Sequence, residues 1–396
     1  MKKYVIVFLS MLLVAAMSAG AYAAVTIGGD AYVRGIWNGN FDMNNDVDDS
    51  VRYWDQRVRL TVTGEAVKGV ELRLRLTTGD DIWDNAGNTG GSLSVDYAYL
   101  HVPVGNVVLD LGRQKSTWGH ELLESGVTRD RAKVTAAAGP MTVGFYTDKI
   151  SENNQNSSAG LTNSDDVDNY GVFVIHKAGN AEGGLLVELY NDDSAADSAD
   201  NDGTRGSVYA TVNAGGAAIT AELAIKNGGV YETTDKDGDK SETQWAAFAG
   251  AELPAGQLTV TGLLGLTRNG FVADKHFTPT VLIGTDNPTA IANFGQNPGS
   301  TGVEQDSFIA VAGAKLSPQP GVTVYGKAAF LSMSAYENDF ASGEDKATAV
   351  EIDAGLEYQI AQNTTYNIDF GYMFPKDITA DDDNVMTLAH SLTLKF

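Results

Sequence analysis

The chain has 396 residues, no cysteine, and 51 acidic against 27 basic side chains, a formal net charge of −24. Without cysteine there are no disulfides, thiolate metal sites, c-type haem attachment or lipid-modified N-terminal cysteine. The acidic balance, with no basic patch interleaved with aromatics, argues against nucleic acid as a partner.

Met1-Lys2-Lys3 precede an apolar run from Tyr4 to Ala16, and Ala21-Tyr22-Ala23 supplies an A-x-A site. This is the layout of a secretory signal peptide over residues 1–23, with cleavage expected after Ala23. No later stretch reaches the ~18 consecutive apolar residues of a transmembrane helix. An exported chain of this kind is either soluble or a membrane barrel, since only helices and closed barrels satisfy every backbone group in lipid. Glycine is abundant at 44 and proline scarce at 9, and helical periodicity is nearly absent, so the expectation is all-β.

Alternation begins at Val25. Val25, Ile27, Ala31, Val33 and Trp37 share one parity, and Asp30, Tyr32 and Arg34 the other. After a stretch crowded with Asn and Asp, Trp54, Val58, Leu60 and Val62 alternate with Asp55, Arg57, Arg59 and Thr61. Leu72, Leu74 and Leu76 then alternate with Glu71, Arg73 and Arg75. An Arg on the lipid face of a barrel costs ~2–4 kcal/mol near the midplane. Four of them would cost on the order of 10 kcal/mol, comparable to the whole stability of many folds. In a membrane barrel these arginines must therefore face a wet lumen.

Leu93–Val102 leaves its parity open, because Asp96 and His101 fall on opposite faces. Val107, Leu109 and Leu111 place Arg113 on the greasy face. That requires either a register-resetting bulge at Gly112 or a snorkelling guanidinium. Towards the end, Val350, Ile352, Ala354, Leu356 and Tyr358 alternate with Glu351, Asp353 and Glu357. Tyr366, Ile368, Phe370 and Tyr372 alternate with Asn367 and Asp369. Leu392, Leu394 and Phe396 line one face of the final run.

The connectors fall into two alternating classes. Eight are tight, such as Gly139–Pro140. Nine are long and mostly acidic: 38–50, 80–92, 116–130, 149–169, 191–206, 227–242, 269–306, 333–347 and 374–384. A membrane barrel alternates short turns with long loops in this way. The predicted fold is an all-β, transmembrane, antiparallel up-and-down β-barrel over residues 24–396 with 18 strands. Sixteen is the alternative if weak strands around 131–148 are miscounted.

Leu109-Asp110-Leu111-Gly112-Arg113-Gln114, the following Trp118-Gly119, and the alternating terminal strand ending in Phe396 resemble Gram-negative outer-membrane porins of the general-diffusion type. The resemblance implies a cell outer membrane location, surrounding lipid and lipopolysaccharide, and a homotrimer. It implies that 116–130, carrying His120, Glu121, Glu124, Arg129 and Asp130, folds into the barrel as a constriction loop. It also implies that Phe396 is an assembly signal read by the barrel-assembly machinery. The chain departs from the commonest porins in having about two more strands.

Nine of eleven arginines occur by position 131. Arg34, Arg57, Arg59, Arg73 and Arg75 would form a basic wall of the pore. Glu351, Asp353, Glu357 and Asp369 would form an acidic one, setting a transverse field between them. No GxSxG, HExxH, P-loop or GxGxxG is present, the five histidines are scattered, and neither enzyme activity nor a cofactor or metal is expected. The expected function is a porin passing ions and small hydrophilic solutes. The alternatives are a substrate-specific, anion-preferring channel, a barrel sheathing a partner such as an exported cytochrome, and a surface adhesin.

Overall fold

The computed structural model describes residues 24–44, 49–83, 93–151, 166–193, 201–241, 243–284, 288–299 and 303–396. The expected signal peptide lies outside the described residues, as do parts of six long connectors.

Among the described residues, eighteen long strands follow one another in antiparallel order. They are β1 (Ala24–Gly39), β2 (Val51–Val67), β3 (Val70–Thr77), β4 (Ser94–Val104), β5 (Val107–Ser116) and β6 (Val127–Ala138). Then come β7 (Met141–Ser151), β8 (Val167–Ala178), β9 (Ala181–Asp192), β10 (Gly203–Ala214), β11 (Ala217–Asn227) and β12 (Thr243–Ala255). The last are β13 (Leu258–Arg268), β14 (Gln305–Gln319), β15 (Val322–Ala335), β16 (Lys346–Ala361), β17 (Thr364–Lys376) and β18 (Val385–Lys395). Each pairs with its neighbours in sequence, and β18 returns to β1 from Lys395↔Asp30 to Met386↔Gly39. The Phe396 amide and carbonyl both bond Gly29, at 3.0 and 2.8 Å. The sheet is closed, and the 16-strand alternative fails because 127–151 forms two full strands.

The alternation survives the whole circuit. Tyr32 faces Arg57, Thr61 faces Arg75, and Arg75 faces Tyr97. On the far side Glu351 faces Met373, Asn367 faces Ser391, and Thr393 returns to Tyr32. This single set of side chains points inward. The opposite set carries exposed apolar groups such as Leu185, Val187, Leu189, Val260 and Leu264, with Trp54, Tyr358 and Phe396 nearer the rims. An apolar outer band is what lipid requires.

Two local ambiguities resolve. A register shift opposite Arg75 and Leu76 pairs them with Tyr97 and Val95, leaving Asp96 as the extra residue of a bulge. Asp96 and His101 therefore belong to one strand despite their clashing parity. At Gly112 there is no reset: β5 and β6 pair without a shift from Val107↔Ala136 to Ser116↔Val127. Arg113 keeps the outward parity and makes a two-pronged pair with Asp130, 2.9 Å at each contact.

The hydrophobic core lies inside the barrel. Two long connectors, L3 (residues 117–126) and L7 (residues 269–304), bring in Trp118, Leu122, Leu123, Phe271, Phe277, Leu282, Ile283 and Phe294. These pack on inward residues of the wall, including Ala224, Ala246, Ile309, Ala329, Leu331 and Ala349. Burying one such large side chain stabilises by roughly 1.5–3 kcal/mol. L7 is therefore not an ordinary outer loop of the kind its class of connector predicts; it is the largest part of the interior filling.

Candidate functional site

The interior has two unlike halves. Strands β1 to β6 present charged side chains to the lumen. Arg34 bonds Asp55 through Nε at 2.9 Å and reaches Asp80 at 3.4 Å. Arg57 meets Asp80 at 3.2 Å, Arg59 meets Asp30 at 2.9 Å and Arg73 meets Glu71 at 2.7 Å. Arg75 pairs with Asp96. Tyrosines stack between them: the Arg34 and Arg57 guanidiniums lie 4.3 and 4.6 Å from the Tyr32 ring centre, and Arg75 lies 4.8 Å from Tyr97. Such stacking fixes a guanidinium while leaving its edge free for hydrogen bonds. Burial alone would raise the Asp80 carboxyl, but the Tyr32 hydroxyl and the two guanidiniums hold it below its ordinary value.

The five arginines thus all stand on the inward parity, but they do not form a bare basic wall. The sequence already carries the correction, because Asp30 and Asp55 share that parity. The ladder continues with Lys133, 3.0 Å from Asp110, and with Arg131, 2.5 Å from Asp148.

L3 covers the neighbouring wall. Gly119 adopts φ +56°, and a Cβ there would lie 2.7 Å from Glu222 Oε2, so the chain can approach this carboxylate only as glycine. Glu222 on β11 accepts the His120 amide at 2.7 Å and the Ser207 hydroxyl at 2.6 Å. Trp118 packs edge-on against Phe173 and Tyr209, with ring centres 5.9 and 5.3 Å apart. The His120 ring touches the Ala210 carbonyl and the Thr211 hydroxyl, each at 3.2 Å. Glu121, also left-handed at φ 72°, accepts the Ser125 hydroxyl at 2.9 Å. Glu124 is buried against Arg205, which also meets Glu188 at 2.6 Å. Burial pushes the Glu124 carboxyl up, and Arg205, with Ser116 and Arg131, more than reverses this.

Two residues assigned to the constriction loop do not belong to it. Arg129 and Asp130 lie in β6, because strand pairing starts at Val127 rather than after residue 130. Arg129 points inward, 4.0 Å from Asp148, and Asp130 points outward to Arg113.

L7 covers β11 to β17. Phe277 meets Phe248 at 5.0 Å, Lys226 donates to the Val272 carbonyl at 3.0 Å, and Asn38 on β1 donates to the Pro288 carbonyl at 3.1 Å. L3 and L7 also touch, the Asp274 amide donating to the Leu122 carbonyl at 3.1 Å. Glu351 and Asp353 are inward, as their parity requires, but L7 seals them: they are 3% and 2% exposed. Asp369 accepts the Tyr325 hydroxyl at 2.5 Å, and Glu357 remains exposed. Two of the four acids of the expected transverse field, Glu351 and Asp353, are therefore closed off from lumen water.

Residues 35–253, from β1 through most of β12, match the family described as phosphate-selective porin O and P. The chain belongs to that family. This stretch of the porin contains L3 and the arginine ladder from Arg57 onward. No curated protein matches the chain. Among solved structures, it is similar to Pseudomonas aeruginosa OccK3 (OpdO), with TM-score 0.58, 10% identity, and 93% of this chain and 95% of that one covered. It is similar to P. aeruginosa OpdQ, with TM-score 0.57, 11% identity, and 94% and 98% covered. For P. aeruginosa OccD3 (OpdP) the values are 0.55, 10%, 93% and 91%. At these identities the likeness is one of fold. The porin is an outer-membrane channel for diffusion of solutes.

Proposed function

We propose that this porin passes ions and small hydrophilic solutes passively and prefers anions. One observation carries the preference: in most pairs of the ladder the cation is more exposed than its counter-ion, the exception being Asp80, 48% exposed against 18% for Arg34 and 28% for Arg57. Arg129 is 27% exposed and Asp148 0%, and Lys133 is 28% exposed and Asp110 10%. Carboxylates set back in the wall hold the cationic heads forward, so a passing solute meets donors first. The family's description as phosphate-selective points the same way, and inorganic phosphate is the first solute to try. The acidic loops count for less, since screening acts over ~8 Å at physiological salt. Reversal potentials across planar bilayers under a salt gradient test the sign. We expect anion selectivity that falls when Arg57, Arg59, Arg73 and Arg75 are all replaced by Ala; a cation-selective pore overturns the reading.

The wider reading follows the resemblance to porins. Residues 1–23 direct export and are removed after Ala23, Phe396 engages the barrel-assembly machinery, and the barrels assemble as homotrimers amid lipopolysaccharide in a Gram-negative outer membrane. L3 and L7 together narrow the path. The protein carries solutes and catalyses no reaction, and it needs no cofactor. A sheath for a partner protein is disfavoured, because L3 and L7 occupy the space such a partner would thread.

A further inference from the structure

L7 is held to the wall by two carboxylates. Glu351 and Asp353 stand two residues apart on the inward face of β16. Glu351 Oε1 accepts the Leu282 amide at 2.8 Å, and Oε2 accepts the Thr280 hydroxyl at 2.8 Å. Asp353 Oδ2 accepts the Val281 amide at 3.2 Å. Asp353 Oδ1 is buried with no hydrogen-bond partner among the described residues. Below the stretch, Gly371 supplies the room: a Cβ there would lie 3.0 Å from Val281 Cγ1.

The charges around this pair do not balance. The cross-strand neighbours of Glu351 are Ala329 and Met373, and those of Asp353 are Lys327 and Gly371. Lys327 donates to the Pro279 carbonyl at 3.1 Å. Among the described residues, the remaining ionisable groups facing the pair are Tyr325 and Asp369, bonded to each other. Two adjacent carboxylates removed from water, with one ammonium nearby, strongly disfavour carrying charge together. A proton on the unpartnered oxygen relieves both the repulsion and the missing hydrogen bond.

We propose that Glu351 and Asp353 share one proton that latches residues 279–283 of L7 to the barrel wall, and that losing this proton frees the stretch and widens the path. The two residues are positioning residues of the channel, and the inference rests on the channel reading. With the proton bound, the pair accepts the three L7 donors without repulsion. With it lost, two negative charges face one another under an apolar cover, and hydrating them requires L7 to lift.

Single-channel conductance measured from acid to alkaline pH tests the latch. The wild-type porin is expected to show a sigmoidal rise with pH. Glu351→Gln and Asp353→Asn keep a hydrogen-bonding side chain that cannot ionise in the same way, and both are expected to hold conductance low and flat. Glu351→Ala is expected to give the wide state throughout. Glu304→Gln, altering a different acid at the base of L7, is expected to leave the step in place. A flat wild-type profile, a step that survives in either Glu351→Gln or Asp353→Asn, or one abolished by Glu304→Gln overturns the latch. Heat-dependent gel migration verifies that each variant is folded, and either amide variant alone suffices for the test. A wild-type protein with no conductance strikes the channel reading and the latch with it; a conducting one without the step strikes the latch alone.

Discussion

Arg131 shows what a lumen-facing arginine needs in order to be held. Its guanidinium lies 3.7 Å from the Tyr146 ring centre, bonds Asp148 at 2.5 and 2.7 Å, and donates to the Ser116 hydroxyl at 2.9 Å. Asp148 is fully buried. Removing one member of a buried pair strands the other, at a cost of about 3–5 kcal/mol. Asp148→Ala should therefore destabilise the barrel by that amount in urea unfolding from lipid vesicles, with a smaller loss for Asp148→Asn. Glu304, at the foot of L7, behaves differently. Burial and the nearby Glu337 push its carboxyl up to about 7, against the opposing pull of Lys226. A carboxyl raised on folding binds a proton that the unfolded chain releases near its ordinary value. Its contribution to stability is thus present at acid pH and lost as pH rises towards 7. Glu304→Gln should remove that loss, read as a higher unfolding temperature than wild type at pH 8 and little difference at pH 4. The inward direction of the arginines was legible from alternation and the cost of charge in lipid. Their partners were less so, since Asp80 and Asp96 sit at a connector and a bulge, where parity fails.

At the scale of elements, L3 and L7 supply the apolar packing inside the barrel. L3 was legible from Leu111-Gly112-Arg113-Gln114 and Trp118-Gly119. Its end was set too late, because Thr128 to Asp130 read as loop by composition while pairing as strand. L7 was not legible as a filling. Its Phe271, Phe277, Leu282, Ile283 and Phe294 find their counterparts on strands far away in sequence. The residues that make room for them, Ala224, Ala246, Gly265 and Ala349, look like weak strand formers when read one by one. Removing a buried aromatic such as Trp118 costs about 3–5 kcal/mol where it packs. That loss falls on a loop rather than on the strand ladder. Trp118→Ala should accordingly raise conductance and current noise while leaving the barrel's heat resistance nearly intact. Excising 272–303 should give a larger jump in conductance still, with the eighteen strands retained in the β content measured by circular dichroism.

Across the whole molecule, the strand count was legible because tight and long connectors alternate without a lapse. Closure was not, since nothing local in Asp30 or Lys395 announces that they are partners. One consequence concerns how such a pore changes calibre over evolutionary time. β1 and β18 meet antiparallel, and inward and outward residues stay in phase around the circuit. A single added strand would force a parallel seam, and a single residue inserted in a strand would exchange lipid and water faces beyond it. Calibre is therefore quantised: barrel circumference grows or shrinks by whole hairpins, and diameter moves in discrete steps with strand number. Fine adjustment of the opening falls to L3 and L7, whose lengths can drift residue by residue while the surrounding cylinder stays fixed.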